Sequence, residues 1–432
     1  LLYSISALLS AYAINYEMLS LARMIGGLAF GSALILAPMY IAEISTAGNR
    51  GILVSIQQLN IVLGFFAAFL SNYFFNNYNG TEYLFLNDEN VWRWMLVVEL
   101  FPALLYFLTL LIIPQSPRWL YTKNKFIEAK QVLSQIHGKQ RAEKEISSIE
   151  KRIKNEKGFS EVKWTDILKP NFRFIMIVGL AVGILQQITG INAIYFYATS
   201  IFKQTGIGTD AAFSSGILLS TVTLVFTCIA MYLIDRVGRR PLMLVGTAGI
   251  AISLLLCSFG FSQASYKLTL QDISQFKFEN SQNLIPFAGK IYENDVIFKE
   301  KMKTVLGSRT YKKNDGILLE AATKINATLV LAGILGFIAC FAFSLGPVMW
   351  VLLSELYPIK YRGIAIGIIA FVNSFISSAV QLVFPWELSS LGNSVTFFIF
   401  GAIAMAGFFI LLKILPETKG KSLEELEIAL IK

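Results

Sequence analysis

Five amide side chains stand inside stretches otherwise built from apolar residues: Gln58, Gln186, Gln187, Asn192 and Asn373. An unpaired amide in hydrocarbon is costly. Each must therefore bond either to a neighbouring helix or to a polar substrate, and for a single amide both readings stay open. Amides are uncharged donors and acceptors, so such a set suits a neutral polar partner and needs no charged ligand. Gln186, Gln187 and Asn192 fall on one half-helix across Gly190, which weakens the helix locally.

Charges form the second group. Arg23 and Glu99 sit near or inside apolar runs. Each costs about 2.5–3.5 kcal/mol at mid-membrane, so function is the default reading. A carboxyl in low dielectric is suited to carrying a proton, and a purely structural ion pair is the alternative. Glu43, Arg50, Arg118, Asp235, Arg239, Arg240, Glu355, Arg362 and Glu417 gather at the ends of apolar runs. Acid–base pairs there can form in one state and rehydrate in another, an inner gate. A lone Arg in such a place would equally follow from loop charge bias. Metal chemistry has no basis. The chain has one histidine, His137, and its three cysteines, Cys228, Cys257 and Cys340, all lie in apolar stretches. Neither a zinc site nor haem ligation nor a disulfide framework can be built from them, and no cofactor is expected.

The elements that must hold these groups follow from composition. Of 432 residues, 15% are charged and 55% hydrophobic, and the mean hydropathy is +0.59. Soluble domains carry roughly 25% charge. These figures exclude a cytosolic enzyme, a disordered chain and a small secreted scaffold, and point to a bilayer. Nine charge-poor stretches are long enough to span: near 24–42, 51–75, 94–113, 174–202, 211–234, 241–261, 325–354, 363–386 and 393–412. Residues 1–16 read as a tenth, truncated at its start, because the chain opens Leu-Leu with no Met and no charged n-region.

Between spans, residues 114–173 carry 14 Lys/Arg against 7 Asp/Glu and read as a cytoplasmic linker of short amphipathic helices. Counting spans from it places 43–50, 235–240, 355–362 and 416–432 inside, and all four contain Arg or Lys. The same count puts the polar insert 263–324 outside. That insert reads as a small lid, a partner site or a flexible loop. The net charge of +9 sits mostly in loops, so charge at the inner leaflet explains it and nucleic acid does not. Asn79-Gly-Thr81 and Asn326-Ala-Thr328 match the glycosylation sequon, a pattern common by chance.

A duplication organises the chain. Glu43-x6-Arg50-Gly51 is matched by Glu355-x6-Arg362-Gly363. Each is followed by two spans, then by Pro114-Gln-Ser-Pro-Arg118 or Pro416-Glu-Thr-Lys-Gly420. Six spans follow the linker and four precede it. Asp235-Arg236-Val-Gly238-Arg239-Arg240 has no partner in the first half; its partner would fall just before residue 1. A 6+6 protein lacking its first two spans fits this arithmetic, with halves at 1–113 and 174–416, the linker at 114–173 and a cytoplasmic tail at 417–432. Parallel six-span repeats are the layout of the major facilitator superfamily.

Together these residues resemble the sugar porter family of that superfamily. The matching pieces are Pro-Met-Tyr-Ile-Ala-Glu43 with Arg50-Gly51, Pro-Gln-Ser-Pro-Arg-Trp119-Leu120, Gln186-Gln187-Ile-Thr-Gly190-Ile-Asn192, Asp-Arg-Val-Gly-Arg-Arg240, Gly346-Pro347-Val-Met-Trp350 and Pro416-Glu-Thr-Lys-Gly-Lys-Ser-Leu-Glu-Glu425. The chain looks most similar to bacterial xylose–proton symporters and, more distantly, to animal glucose facilitators. Only the 263–324 insert falls outside the likeness.

The resemblance implies an all-α membrane protein with about ten of twelve spans visible. It implies that Gln58, Gln186, Gln187, Asn192 and Asn373 are sugar ligands, that Phe341 and Trp350 form the apolar wall, and that Tyr195, Phe196 and Tyr197 belong to an extracellular gate. In the symporters, the Arg and Glu matching Arg23 and Glu99 surround an Asp on the first span; the facilitators keep the Arg and lack the Glu. Several positions depart from the pattern: Thr223 where an Asn is usual, Ser374 where a Trp is usual, Phe65 for a Gln, and Gln115 for a Glu. The expectation is a monosaccharide transporter of a bacterial inner membrane, proton-coupled, acting as a monomer on a pentose or hexose. A facilitative uniporter and a non-transporting membrane sugar sensor are the alternatives.

Overall fold

The computed structural model describes residues 1–44, 50–78, 87, 89–138, 169–203, 209–278, 280–357 and 359–419. The first sequon, at 79–81, and Glu425 lie outside them. The side chains of Glu43, Arg50, Arg118 and His137 also lie outside what is described. The chain divides into two units, Leu1–Glu161 and Val162–Lys432.

In the first unit, α1 (Leu2–Ala11) and α2 (Tyr16–Ile44) pack together, followed by α3 (Arg50–Asn77), α4 (Val91–Val97), α5 (Leu100–Ile112), α6 (Pro117–Thr122) and α7 (Phe126–His137). Ser6 Oγ donates to the Ala22 carbonyl at 2.7 Å. Gly26 permits this closeness, since a Cβ there would stand 2.5 Å from Ser6 Oγ. The expected single span at 94–113 is interrupted at Val98–Glu99. Pro102 explains the break: it has no N–H for the Val98 carbonyl and its ring crowds that group. The Val98 carbonyl instead accepts from Phe101 N at 3.2 Å.

The second unit holds α8 (Arg173–Ile188), α9 (Ile191–Phe196), α10 (Ala198–Lys203), α11 (Thr209–Val237), α12 (Arg239–Ser262), α13 (Leu270–Gln275), α14 (Asp295–Leu306), α15 (Ser308–Ala322), α16 (Ala327–Phe343), α17 (Leu345–Leu356), α18 (Ile359–Ser390) and α19 (Gly392–Ile414). Among the described residues of the whole chain, 8 helical stretches are long and apolar enough to cross a membrane, α1 being a shorter apolar helix. Lipid offers no hydrophobic drive between helices, so close packing must come from small residues. Gly183 lets α8 meet α18, because a Cβ would stand 2.7 Å from Ile369 Cγ2, and Gly333 brings α16 within reach of Cys257 on α12. Two expected spans are each broken into helical pieces. Residues 174–202 break at Gly190, with φ +85, and again at Tyr197; 325–354 breaks at Ser344.

The insert is not a flexible loop. Ser265–Tyr266 (β1) pairs antiparallel with Thr323–Lys324 (β2), Tyr266 facing Thr323. Between them α13, a 3-10 helix at Ser281–Phe287, α14 and α15 enclose their own core, with Leu284, Phe298, Met302 and Leu318 fully buried. Helix starts are written locally: Thr269 and Asp272 form a capping box, and Asn294 caps α14.

Candidate functional site

Four of the five amides meet, all within the second unit. Gln186 and Gln187 end α8, Asn192 opens α9 beyond the Gly190 break, and Asn373 sits mid-way along α18. Gln187 Nε2 donates to Asn373 Oδ1 at 3.1 Å and to Gln186 Oε1 at 3.2 Å. Asn192 Nδ2 donates to Gln187 Oε1 at 2.9 Å. Asn373 Nδ2 donates to Gln186 Oε1 and to the Gly183 carbonyl, both at 2.8 Å. Gln186 Nε2 reaches the Leu345 carbonyl at 2.9 Å, at the α16–α17 break. Three members are nearly sealed: Gln186 is 4% exposed, Gln187 9% and Asn373 6%.

Such a network is held ready rather than assembled on demand. Every amide already has partners, so a hydroxyl-rich substrate would exchange bonds rather than create them. One of the two expected wall aromatics stands near the Leu345 end of the network. Phe341 lies against Gly346, whose added Cβ would stand 3.3 Å from the ring, and Trp350 is half-buried on the same α17. Gln58 is half-buried in the first unit.

Sequence reasoning missed two members. Ser377 Oγ accepts from Asn192 Nδ2 at 2.8 Å and from Gln381 Nε2 at 2.9 Å. Asn373, Ser377 and Gln381 follow at four-residue spacing on one face of α18, the signal that could have found them.

The aromatic trio divides. Tyr195 is buried and its hydroxyl bonds Thr223 Oγ1 on α11. Phe196 is exposed, and the Tyr197 ring packs on Phe384 at 5.4 Å. Thr223, standing where the resembled family has Asn, is thus engaged by Tyr195.

Arg23 and Glu99 come together in the first unit. Arg23 NH1 donates to Glu99 Oε2 at 2.8 Å, and both side chains are about half exposed, 51% and 50%. Glu99 sits at the Pro102-induced break, directly before α5.

At the far end of the second unit lies an ionic cluster. Arg239 NH2 meets Glu355 Oε1 at 2.7 Å and Asp235 Oδ1 at 3.1 Å. Thr418 Oγ1 donates to Glu355 Oε2 at 2.6 Å. Glu417 accepts from the backbone N–H groups of Arg239 and Arg240 at 3.1 and 3.0 Å, capping the α12 N-terminus where the helix dipole favours an anion. Gly238 makes this possible twice over: its φ is +106, and a Cβ would stand 2.8 Å from Glu417 Oε2. Burial pulls the Glu417 carboxyl upward, but backbone N–H donors from Lys419, Arg239, Arg240 and Thr418 outweigh it and hold it below the usual carboxylate range. Arg240 NH2 donates to the Leu412 carbonyl and Arg362 Nε to the Tyr357 carbonyl. The described pairs of this cluster run within the second unit.

The model of the family of sugar (and other) transporters matches residues 1–270 and 302–430. The chain belongs to this sugar transporter family. It is 33% identical over 427 residues to the arabinose-proton symporter of Bacillus subtilis (strain 168), covering 99% of this chain and 78% of that one. It is 30% identical over 426 residues to the major myo-inositol transporter IolT of the same organism, covering 99% and 77%. Its structure is similar to the proton:xylose symporter XylE of E. coli bound to 6-bromo-6-deoxy-D-glucose, with a TM-score of 0.70, 28% identity, and coverage of 99% of this chain and 81% of that one. The sugar transporter chain therefore has the major facilitator fold. It is a multi-pass membrane transporter, not an enzyme.

Proposed function

We propose that the protein carries a pentose or hexose across the membrane by alternating access, in symport with protons. The observation that carries the sugar half is the buried amide network of Gln186, Gln187, Asn192 and Asn373. It presents uncharged donors and acceptors, beside aromatic surface, to a neutral polyol. Gln58 remains a proposed ligand from the first half. The proton half rests on Glu99, an acid in a membrane-spanning region whose only described ionic partner is Arg23. Protonation would release that pair, and deprotonation would restore it. The names of the similar symporters support the same reading, and the spread of their substrates leaves the sugar to experiment.

In this reading the halves are 1–113 and 174–416, the basic linker and the tail are cytoplasmic, and the 263–324 insert is extracytoplasmic. Phe196 and Tyr197 stand at the outer gate, with Tyr195 fixing their helix to α11. The Arg239–Glu355–Glu417 cluster, with Glu43, Arg50, Arg118, Asp235, Arg240 and Arg362, forms the inner gate, and a single copy suffices. The test is uptake of labelled monosaccharides into vesicles with and without an imposed pH gradient. Uptake above equilibrium only with the gradient supports symport. Equilibration alone gives a uniporter, and binding without uptake gives a sensor.

A further inference from the structure

The middle of the insert, residues 271–301, falls outside the family match, and the proposed function gives the insert no role. Yet it is folded, stapled and seated. The β1–β2 ladder brings its two ends side by side, and Tyr266 makes a second bridge to Tyr292. Tyr266 stacks on the fully buried Phe298 at 5.6 Å. A tethering loop would need none of this.

Its seat has two points. The first is the start of α19. Asp295, only 7% exposed, pairs with Lys299 at 2.7 Å and accepts from Asn393 Nδ2 at 3.3 Å. Its carboxylate lies directly against Gly392, which has φ +81 and no room for a Cβ. A buried carboxylate with a cation on one side and a helix N-terminus on the other resists removal, because separation would leave charge unpaired. The second point is α10, against which α15 packs. Ile201 and Phe202 of α10 are fully buried. Helix α10 is joined through Tyr197 to α9, which carries Asn192 and Tyr195. Discontinuous helices of this kind form the substrate sites of many transporters.

We propose that residues 263–324 form a cap that braces α10 against the α19 N-terminus and so limits how fast the outer end of the α9–α10 segment moves during transport. This rests on the transport reading above. Asp295 is a positioning residue in it: it fixes the cap, not the sugar. The cap should slow exchange while leaving sugar affinity unchanged, because no cap residue bonds the described amide network.

The experiment exploits the stapled ends. Residues 267–322 are replaced by Asn-Gly, a two-residue turn that suits the Tyr266–Thr323 pair. A second variant, Asp295→Asn with Lys299→Gln, neutralises the seat and keeps the cap. Three quantities are read in proteoliposomes: monosaccharide affinity, the rate of sugar exchange, and hydrogen–deuterium exchange of residues 198–203. The cap reading expects unchanged affinity, sugar exchange raised about threefold or more, and faster deuterium uptake in 198–203, with the double variant intermediate. Unchanged protection of 198–203 in both variants overturns the proposal, as does an unchanged sugar exchange rate. A parallel fall in affinity and rate also overturns it, since that marks a merely structural role. If the unmodified protein exchanges no sugar, the transport reading fails on its own, and the brace is then judged by protection of 198–203.

Discussion

The second unit contains two polar clusters built on opposite principles. The amide cluster is neutral and mostly buried, its members bonded to one another and to the carbonyls of Gly183 and Leu345. The Arg239–Glu355–Glu417 cluster is ionic and leans on helix ends, with Asp235 79% exposed on its side chain. In the proposed reading, the difference follows from what each must exchange. A neutral polyol trades hydrogen bonds one for one, so its site can be dry and preformed. A gate must come apart, and separated charges are tolerable only where water can reach them. Charge is therefore placed at the rim and amide in the interior.

Gln187→Ala should break the first cluster most. Gln187 links Gln186, Asn373 and Asn192 at once. Its loss should weaken sugar binding about 10- to 100-fold, at ~0.5–1.5 kcal/mol per bond. Titration of purified protein with the transported sugar reads this, and unchanged affinity would remove Gln187 from the site. Glu355→Gln should break the second cluster. It strips Arg239 of its better-buried partner, costing about 1–2 kcal/mol of stability after discount for partial exposure. Sugar affinity should stay within about twofold, and the reactivity of a cysteine introduced on the cytoplasmic side should rise. If affinity falls as far as in Gln187→Ala, the division of labour is wrong.

Ser377→Ala sharpens the edge of the amide cluster. It removes one acceptor from Asn192 and should lower affinity only about threefold, roughly one net hydrogen bond at the low end. The smallest effect is a pH dependence. Glu417 has its carboxyl held below the ordinary range when folded, so its contribution is fully present above the ordinary value of about 4.3 and is lost as pH falls through the depressed one. Glu417→Gln should therefore melt slightly below the parent at pH 7, and the gap should close in stronger acid. A gap that widens on acidification would contradict the assigned direction.

How much of this could be read beforehand depended on how costly each residue was in its context. Amides and charges in apolar runs are costly, so Gln186, Gln187, Asn192, Asn373, Arg23 and Glu99 stood out, and the structure brings the four amides together and pairs the two charges. Gly190 announced its own break. Pro102 was equally visible but was read through, because a Pro inside an apolar run is common in membrane helices. Ser377 was missed because serine in such a helix ordinarily satisfies itself on its own backbone. The insert hid its fold for another reason. Its helices are short and polar outside, so only the local caps at Thr269 and Asn294 marked them, while its core residues are scattered from Ala264 to Ala322.

The central claim is that sugar recognition and proton coupling reside in different groups, the neutral amides for one and Glu99 for the other. Glu99→Gln tests it most directly, measured as sugar counterflow and as gradient-driven accumulation in the same vesicles. Gln keeps the shape and a hydrogen-bonding amide but cannot release a proton. The account predicts counterflow near the parent rate and accumulation reduced to equilibrium. Accumulation at the parent level would contradict it, and so would loss of counterflow together with accumulation.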